Sequence, residues 1–461
     1  MPTRVLDYIE KNKDRFLENL KELLRIESIS TQPAKKSEVL KCANLEIRQM
    51  KEIGLENVRL IETAGHPMVY GDWLHAEGKP TILIYGHYDV QPPDPLDEWK
   101  TPPFEPTIID GNIYGRGTTD NKGQHFAHLC AIEAYLKTLG KLPVNVKIIL
   151  EGEEECGSSS ITQYVSEQRD FLKCDAVLIS DFPWHDFEHP TIEYAIKGLV
   201  YCELRVQGAT HDLHSGLFGG MVRNPVQALS WILSKLKDEN EKILIPHFYD
   251  DVKALTTEEK KELGATLNAD EQSLLKETGV SALVSEKGYT TAETNGRRPT
   301  LDVCGIWGGY QDVGAKTIIP AKAGAKVSIR LVANQDAKKV EKQFVDYVKS
   351  ICPKGVTLEF ETFHGCGALT ADRNNFFVKE TAGAFAKAFG KEVVYKAGGG
   401  SIPVATAMQE VLKAPVILIG LGLPDDRLHS PNEKFALKNF FGGIKGAALA
   451  LEAFGKRGVS S

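Results

Sequence analysis

Carboxylates and imidazoles follow several short apolar runs of this sequence, where they could bind a metal ion or move protons. The runs are TILIYG at 81–86, NVKIIL at 145–150, DAVLIS at 175–180 and PVILIG at 415–420. The polar side chains after or near these runs are His87, Asp89, Asp120, Glu151, Glu153, Glu154, Glu155, Asp181 and His429. In open α/β sheets, sites form at the edge where the parallel strands end. The pattern therefore predicts that these side chains share one site.

Several carboxylates at one edge of a sheet repel one another, and bound divalent cations are the usual remedy. Taken singly, each residue also has a structural interpretation, because Asp often caps a helix and Glu often occupies a first helical turn. The group as a whole favours a metal site. Mixed imidazole and carboxylate ligands suit zinc, manganese or cobalt better than calcium. We therefore expect divalent ions, with zinc favoured and manganese or cobalt as alternatives.

Two local spacings suggest separate roles within this site. His87 and Asp89 are two residues apart, so both side chains project to the same side of an extended strand. We expect Asp89 to hold the imidazole from behind instead of binding an ion. Glu154 and Glu155 are consecutive and point in different directions, so one can bind metal while the other transfers protons.

The elements that must position these residues have an α/β pattern. Strand-like runs alternate with helical patterns in the first part of the chain and again after residue 366, whereas 199–365 resembles a smaller α+β sandwich. The chain has 461 residues, well above the ~150 residues of a typical domain. We predict a larger α/β domain at 1–198 and 366–461, interrupted by a smaller domain at 199–365.

Composition excludes several classes of partner. Lys plus Arg number 55 against 62 Asp plus Glu, a net charge of −7, so no basic field exists for nucleic acid or anionic lipid. The apolar runs are far shorter than the ~18 residues of a membrane span, and the N-terminus lacks the apolar core of a signal peptide. We expect a cytoplasmic protein. The loops GRGTTDNKG and KAGGGSIP lack the order of a phosphate-binding loop, so ATP and NAD are not expected.

Seven motifs together resemble the dinuclear metallopeptidases of clan MH, the family that includes carnosinase, cytosolic nonspecific dipeptidase and succinyl-diaminopimelate desuccinylase. The motifs are GHYDVQP (86–92), GRGTTDNKG (115–123), EGEEECGS (151–158), ISD (179–181), DLHSGLFGG (212–220), GGSIP (399–403) and LHSPNEK (428–434). The stretch at 304–323 and the TTEEKKEL insertion are most similar to the dipeptidase subgroup. The resemblance implies an α/β catalytic domain with a mixed sheet flanked by helices, interrupted by an α+β two-layer lid and dimerisation domain.

The resemblance also implies roles for the residues of the larger domain. Asp120 would bridge two divalent ions, His87 and Asp181 would complete one site, and Glu155 and His429 the other. Glu154 would be the general base, aligned through the Cys-Gly-Ser that follows Glu155. This alignment leaves Glu153 and Cys156 without a catalytic role.

Further roles fall in or near the smaller domain. The resemblance implies that His214 donates to the reacting oxyanion, reaching it from the second subunit of a homodimer. Arg330, His364, Gly400 and Ser401 would hold the C-terminal carboxylate of the substrate.

The predicted function is therefore hydrolysis of dipeptides through a metal-bound water. One alternative is an amidohydrolase that acts on N-acyl amino acids, which a comparison of free and N-acetylated dipeptides would distinguish. An alternative of another class is a non-catalytic interaction protein on a peptidase fold, which missing ligands would indicate; all five predicted ligands are present. A two-metal phosphatase is less favoured, because no Arg or Lys cluster adjoins the carboxylate motifs.

Overall fold

The computed structural model describes residues 3–267 and 271–457 and shows a mixed α/β chain. The α-helices are α1 (Thr3–Lys11), α2 (Lys13–Leu24), α3 (Lys36–Ile53), α4 (Lys122–Leu139), α5 (Ser159–Glu167), α6 (Arg169–Leu172), α7 (Ser215–Phe218), α8 (Pro225–Leu233), α9 (Thr257–Leu267), α10 (Glu271–Thr278), α11 (Thr291–Arg297), α12 (Ala337–Ile351), α13 (Phe376–Phe389), α14 (Pro403–Leu412) and α15 (Leu437–Phe454). Short 3-10 helices occur at Pro33–Lys35, Leu96–Glu98 and Glu154–Cys156.

The strands are short, as the spacing of the apolar runs predicts. They are β1 (Glu56–Ile61), β2 (Met68–Trp73), β3 (Thr81–His87), β4 (Thr107–Ile109), β5 (Asn112–Tyr114), β6 (Asn145–Glu151), β7 (Ala176–Ile179), β8 (Thr191–Ile196), β9 (Gly198–Gln207), β10 (Leu213–His214), β11 (Thr300–Gly308), β12 (Ile318–Ile319), β13 (Lys322–Leu331), β14 (Thr357–Cys366), β15 (Leu369–Thr370), β16 (Val394–Ala397), β17 (Val416–Gly420) and β18 (Lys434–Ala436).

Within the described ranges, the chain divides into two compact units. The first comprises Met1–Tyr194, Ala371–Lys396 and Ala407–Ser461, and the second comprises Ala195–Thr370 and Ala397–Thr406. The short segment at 397–406 thus belongs to the second unit, whereas the sequence prediction assigns it to the larger domain. The cause is local, because the Lys197 N–H donates to the Gly400 carbonyl at 2.9 Å.

The first unit is built on a mixed sheet with the strand order β1-β2-β6-β3-β7-β17-β8. β3 is parallel to β6 and β7, and β17 is parallel to β7, whereas the outer strands β2 and β8 pair antiparallel. The four apolar runs predicted as strands form β3, β6, β7 and β17, which are almost entirely buried, as expected for central parallel strands.

Helices pack against this sheet, and α4 is buried in the core between them. The helix α4 begins directly after the loop that contains Asp120, and it ends at Gly140, whose φ of +66° suits a left-handed cap. α4 packs against α1 and α15, and nearly every residue of its first four turns is buried. The helical spacing of apolar residues from Val5 to Leu24 predicts one amphipathic helix, but the structure divides this segment at Asn12 into α1 and α2.

The second unit contains an antiparallel sheet with the order β11-β13-β9-β14. The helices α8 and α12 pack on it, so the α+β two-layer prediction is confirmed. The Asn224 side chain caps α8 by accepting from the Val226 N–H, and Pro225 occupies the first turn, an arrangement typical of helix starts. Within 3–267 and 271–457, no helix combines the length and apolar character that crossing a bilayer requires.

Candidate metal centre

The predicted metal ligands of the first unit form two groups that share Asp120. The first group is His87, Asp120 and Asp181, and the second is Asp120, Glu155 and His429. In each group, one ligand atom per residue lies within 4.8 Å of the others. Asp120 Oδ1 lies 3.1 Å from His87 Nε2, and Asp120 Oδ2 lies 2.9 Å from His429 Nε2. Each oxygen of this carboxylate therefore faces a different group, which is what a residue between two ions requires.

The sheet explains why ligands far apart in sequence converge. β3 lies between β6 and β7, and the three strands run parallel with His87 opposite Glu151. His87, Glu155 and Asp181 lie on or just after the carboxyl ends of these strands, at one edge of the sheet. The loops at 115–121 and 427–434 supply Asp120 and His429 to the same edge.

Asp89 holds the His87 ring and the chain that carries the paired glutamates. The His87 Nδ1–H donates to the Asp89 carbonyl at 3.1 Å, so a neutral His87 ring would carry its lone pair on Nε2, toward the ligand group. The buried Asp89 carboxylate accepts from Ser30 Oγ at 2.6 Å and from the backbone N–H groups of Glu154 and Glu155 at 3.3 and 3.1 Å. The Asp89 carboxylate thus orients the paired glutamates, whereas the hydrogen bond of the His87 ring is accepted by the Asp89 backbone carbonyl, and Oδ1 lies 3.4 Å from His87 Nδ1. That the Asp89 side chain holds the imidazole stays a prediction.

Two amide side chains that sequence reasoning did not single out orient candidate ligands. Gln91 Nε2 donates to Glu155 Oε2 at 2.8 Å, and Asn121 Nδ2 donates to Asp181 Oδ1 at 2.6 Å. Both belong to motifs already noted, GHYDVQP and GRGTTDNKG, and their amide donors beside predicted carboxylate ligands were the available signal.

Glu154 and Glu153 point to different surroundings. The Glu153 carboxylate accepts from the backbone N–H groups of His66 at 3.0 Å and Ser160 at 3.2 Å, so it supports a loop and the first turn of α5. No hydrogen bond is recorded for the Glu154 carboxylate among the described residues, and burial together with Asp181, Asp120 and Asp89 raises its pKa to about 7, although His87 opposes this. Burial raises the pKa of the Cys156 thiol to about 11, which does not favour a reactive thiolate.

The charges of the site favour a cation. Burial and the charge of Asp120 raise the pKa of Glu155 to about 9. Burial would also raise the pKa of Asp120, but hydrogen bonds from His429 and His87 hold it well below its usual range. The hydrogen bond with Asp120 raises the pKa of His429 to about 9. Carboxylates outnumber the positive groups that can balance them, so oxygen and imidazole donors of this type fit divalent cations.

A second cluster of predicted residues lies within the second unit. Arg330 Nη1 donates to Ser401 Oγ at 2.8 Å, and that hydroxyl donates to the Lys197 carbonyl at 2.6 Å. Arg330, Gly400 and Ser401 are therefore brought together. The side chain of His364 lies outside what the structure describes.

Sequence reasoning missed Lys197, which is buried in this cluster with 3% of its surface exposed. Its Nζ donates to the Thr294 carbonyl at 3.0 Å. Burial, followed by the charge of Arg330, lowers the pKa of Lys197 to about 7. Among the residues described, no carboxylate forms an ion pair with Lys197 or Arg330. A lone Lys before a strand gives no sequence signal of such an environment.

His214 is exposed in the second unit, at the end of the short strand β10. Its Nδ1 accepts from the Gly216 N–H at 3.1 Å. A neutral His214 imidazole therefore carries its proton on Nε2, which can donate to an oxygen.

Comparison with known proteins agrees with the resemblance of the motifs. The sequence model of the family described as Peptidase family M20/M25/M40 matches residues 83–453, and the chain belongs to this family. The Cys-Gly metallodipeptidase DUG1 of Candida albicans is 33% identical over 98% of this chain and 97% of that protein. The Beta-Ala-His dipeptidase of Homo sapiens is 32% identical over 96% of this chain and 90% of that protein.

Solved structures are similar over nearly the whole chain. Human carnosine dipeptidase 1 has a TM-score of 0.81 at 31% identity, and each chain is covered to 99%. The M20 family metallo-carboxypeptidase Sso-CP2 from Sulfolobus solfataricus has a TM-score of 0.87 at 33% identity, covering 96% of this chain and 99% of that one. The predicted family and fold class are confirmed.

Proposed function

We propose that this protein is a metal-dependent dipeptidase that hydrolyses dipeptides with a free C-terminal carboxylate. The observation that carries the proposal is the pair of ligand groups sharing Asp120, in a chain similar over nearly its full length to named metallodipeptidases. All five predicted ligands are present, which argues against an interaction protein on an inactive peptidase fold.

The residues divide into binding and proton-transfer roles in this proposal. His87, Asp120 and Asp181 would hold one divalent ion, and Asp120, Glu155 and His429 the other, with zinc favoured over manganese or cobalt. Two such ions supply polarisation of the scissile carbonyl and acidification of the attacking water. The Glu154 carboxylate accepts the proton of the water and delivers it to the leaving amine.

Arg330 and Ser401 would bind the substrate carboxylate, with the Gly400 backbone and His364 completing the pocket. The support is the position of the Arg330 guanidinium against Ser401 Oγ, with no ion pair to a carboxylate among the described residues. A guanidinium matches a carboxylate in a bidentate geometry that lysine cannot reproduce.

We further propose a homodimer in which His214 donates its Nε2–H to the oxyanion of the partner's site. The test mixes two inactive variants, Glu154→Ala and His214→Ala, under conditions that allow subunits to exchange. Random pairing makes about half of the dimers mixed, with one intact site in two, so roughly a quarter of wild-type activity should return. Recovery no higher than that of the separate variants, after confirmed exchange, would place His214 in the site of its own chain.

A cytoplasmic location is also proposed, supported by the buried free thiols of Cys42, Cys130 and Cys202. Fractionation of cells against cytosolic and secreted marker proteins tests it.

The central experiment removes metal exhaustively and restores Zn²⁺, Mn²⁺ or Co²⁺ separately before assay on a dipeptide library. We expect activity to disappear on chelation and to return with about two ions per chain. Undiminished activity in metal-free protein would refute the proposal. Each dipeptide is also assayed as its N-acetyl derivative, and preference for the acetylated form would indicate an amidohydrolase.

A further inference from the structure

We infer that Glu433 is a positioning residue that fixes Asp120 relative to His429 and so sets the affinity of the second ligand group for its ion. The inference rests on the proposed metal centre. Glu433 lies in the motif LHSPNEK, four residues after His429, and is not among the predicted ligands or catalytic residues.

The Glu433 carboxylate is fully buried, and the loop that contains Asp120 surrounds it. Its Oε2 accepts from Arg116 Nη1 at 2.8 Å and from the Gly117 N–H at 3.0 Å. Its Oε1 accepts from the N–H groups of Thr119 at 3.0 Å and Asp120 at 3.1 Å. Backbone N–H groups converging on an anion in this way form a nest, here occupied by a side chain of the protein itself.

Other bonds join the same two loops in a defined register. The Gly115 N–H donates to the Glu433 carbonyl at 3.0 Å, and Thr119 Oγ1 donates to the Lys434 carbonyl at 2.7 Å. β18 and β5 continue the pairing, with Lys434 opposite Tyr114. The separation between Asp120 and His429 therefore depends on this junction, in which Glu433 accepts five hydrogen bonds, four through its carboxylate and one through its carbonyl.

The loop that carries His429 also needs support from outside itself. Arg427, His429 and Asn432 have φ values of +56°, +59° and +67°, in the left-handed region that residues with a Cβ rarely adopt. Such conformations persist where surrounding contacts enforce them. Asn432 is held by bonds to the Lys100 N–H at 2.7 Å and the Glu98 carbonyl at 2.8 Å, and Glu433, the next residue, joins the end of this loop to the loop of Asp120.

The negative charge of Glu433 is matched to its surroundings, so an amide should not replace it. Arg116 is 1% exposed, and its other recorded hydrogen bond goes to the Pro92 carbonyl at 3.1 Å. In Glu433→Gln, an amide NH₂ would face N–H donors, and the buried guanidinium would lose its counter-charge. The variant keeps the size of the side chain, so it tests charge and hydrogen bonding separately from packing.

Asp425→Asn is the matched control. It removes one carboxylate from the same segment, but Asp425 is exposed and contacts Lys434 Nζ at 2.8 Å instead of the loop of Asp120. Wild type, Glu433→Gln and Asp425→Asn are each stripped of metal and titrated with Zn²⁺ against a chromophoric chelator. Co²⁺ titrations give the visible absorption bands of the bound ion.

We expect wild type and Asp425→Asn to bind two ions alike, and Glu433→Gln to lose about tenfold or more in affinity for the weaker ion, with altered Co²⁺ bands. Two ions bound by Glu433→Gln with wild-type affinities and bands would overturn the inference while leaving the dipeptidase proposal intact. No bound ion in wild type would instead overturn the dipeptidase proposal.

If Glu433→Gln does not fold, Arg116→Lys tests whether the contact between Arg116 and Glu433 affects the affinity for the second ion. This variant keeps the positive charge but cannot reproduce both guanidinium contacts, so a smaller loss of affinity for the same ion is expected. Unchanged affinity in folded Arg116→Lys, with lowered thermal stability alone, would show that the Arg116–Glu433 pair is only structural.

Discussion

The two units concentrate opposite charges, and each excess of charge indicates a ligand. In the first unit, Asp120, Glu155 and Asp181 gather around two imidazoles, and the cluster fits cations. In the second unit, Lys197 and Arg330 lie together and form no ion pair with a carboxylate among the described residues, although the charge of Asp302 acts on Lys197, and this pair of cations favours an anion. An excess of buried negative or positive charge thus indicates whether a site binds a cation or an anion, even before the reaction is known.

Replacing Glu154 should have the largest effect on activity. It distinguishes proton transfer from cation binding at the metal centre of the first unit. Glu154→Gln should fold and bind metal but lose about 10²-fold or more in kcat, because its carboxylate can no longer accept a proton. Steady-state kinetics and metal analysis check this. Glu153→Gln is the control, and a greater loss of kcat in that variant would mean that the roles of the two glutamates are exchanged.

The buried residue His128 makes the stability of the first unit depend on pH. Burial and then the charge of His125 lower the pKa of His128 to about 4, so the unfolded chain binds this proton first as pH falls. The contribution of neutral His128 to the free energy of unfolding should therefore be complete above pH 6.5. It should be lost as pH falls toward 4, which lowers the free energy of unfolding by at most about 3 kcal/mol.

The measurement is the free energy of unfolding of metal-free protein between pH 7 and 4. His128→Gln should show a free energy of unfolding that depends less on pH than that of wild type, and His211→Gln, at an exposed histidine, is the control. Parallel curves for all three proteins would contradict the assignment.

Arg330→Lys tests the anion site of the second unit. The charge is kept, but the bidentate geometry is lost, so KM for free-acid dipeptides should rise about tenfold while kcat changes less. Wild type should cleave C-terminally amidated dipeptides poorly. The control is Lys326→Gln, an exposed residue of the same strand. If wild type cleaved free-acid and amidated dipeptides equally well, the proposal that Arg330 binds the substrate carboxylate would be wrong.

The smallest effect is expected at Glu153, which lies beside the acidic site but binds backbone. Glu153→Ala should leave kcat nearly normal and lower stability by about 1 kcal/mol, because the Ser160 N–H at the first turn of α5 loses its acceptor. Chemical unfolding measures the change, with Glu62→Ala as an exposed control. An unchanged stability would show that water replaces the carboxylate without cost.

Local pattern was sufficient for much of the fold. The runs that become β3, β6, β7 and β17 are apolar and bounded by polar residues, and α4 ends where Gly140 stops its helical periodicity. These features depend on neighbours in sequence, so they can be predicted from the sequence. The candidate ligands were also predictable, because their types and motifs are local.

The direction of individual side chains depended on tertiary structure. Glu153 and Glu154 are adjacent and chemically identical, yet one accepts from Ser160 and the other faces the ligand groups. The 3-10 turn at Glu154–Cys156, not periodicity, separates them.

Which distant charges meet was likewise decided only by the folded chain. The order of residues along the chain was enough to show that carboxylates and histidines follow strands, and hence that a metal site is expected. That Asp120 faces both groups, that Glu433 anchors its loop, and that Lys197 is buried beside Arg330 follow from contacts between segments far apart in the chain. Such contacts form only when loops of irregular backbone are held in place by the core, and a sequence pattern carries no period from which they could be read.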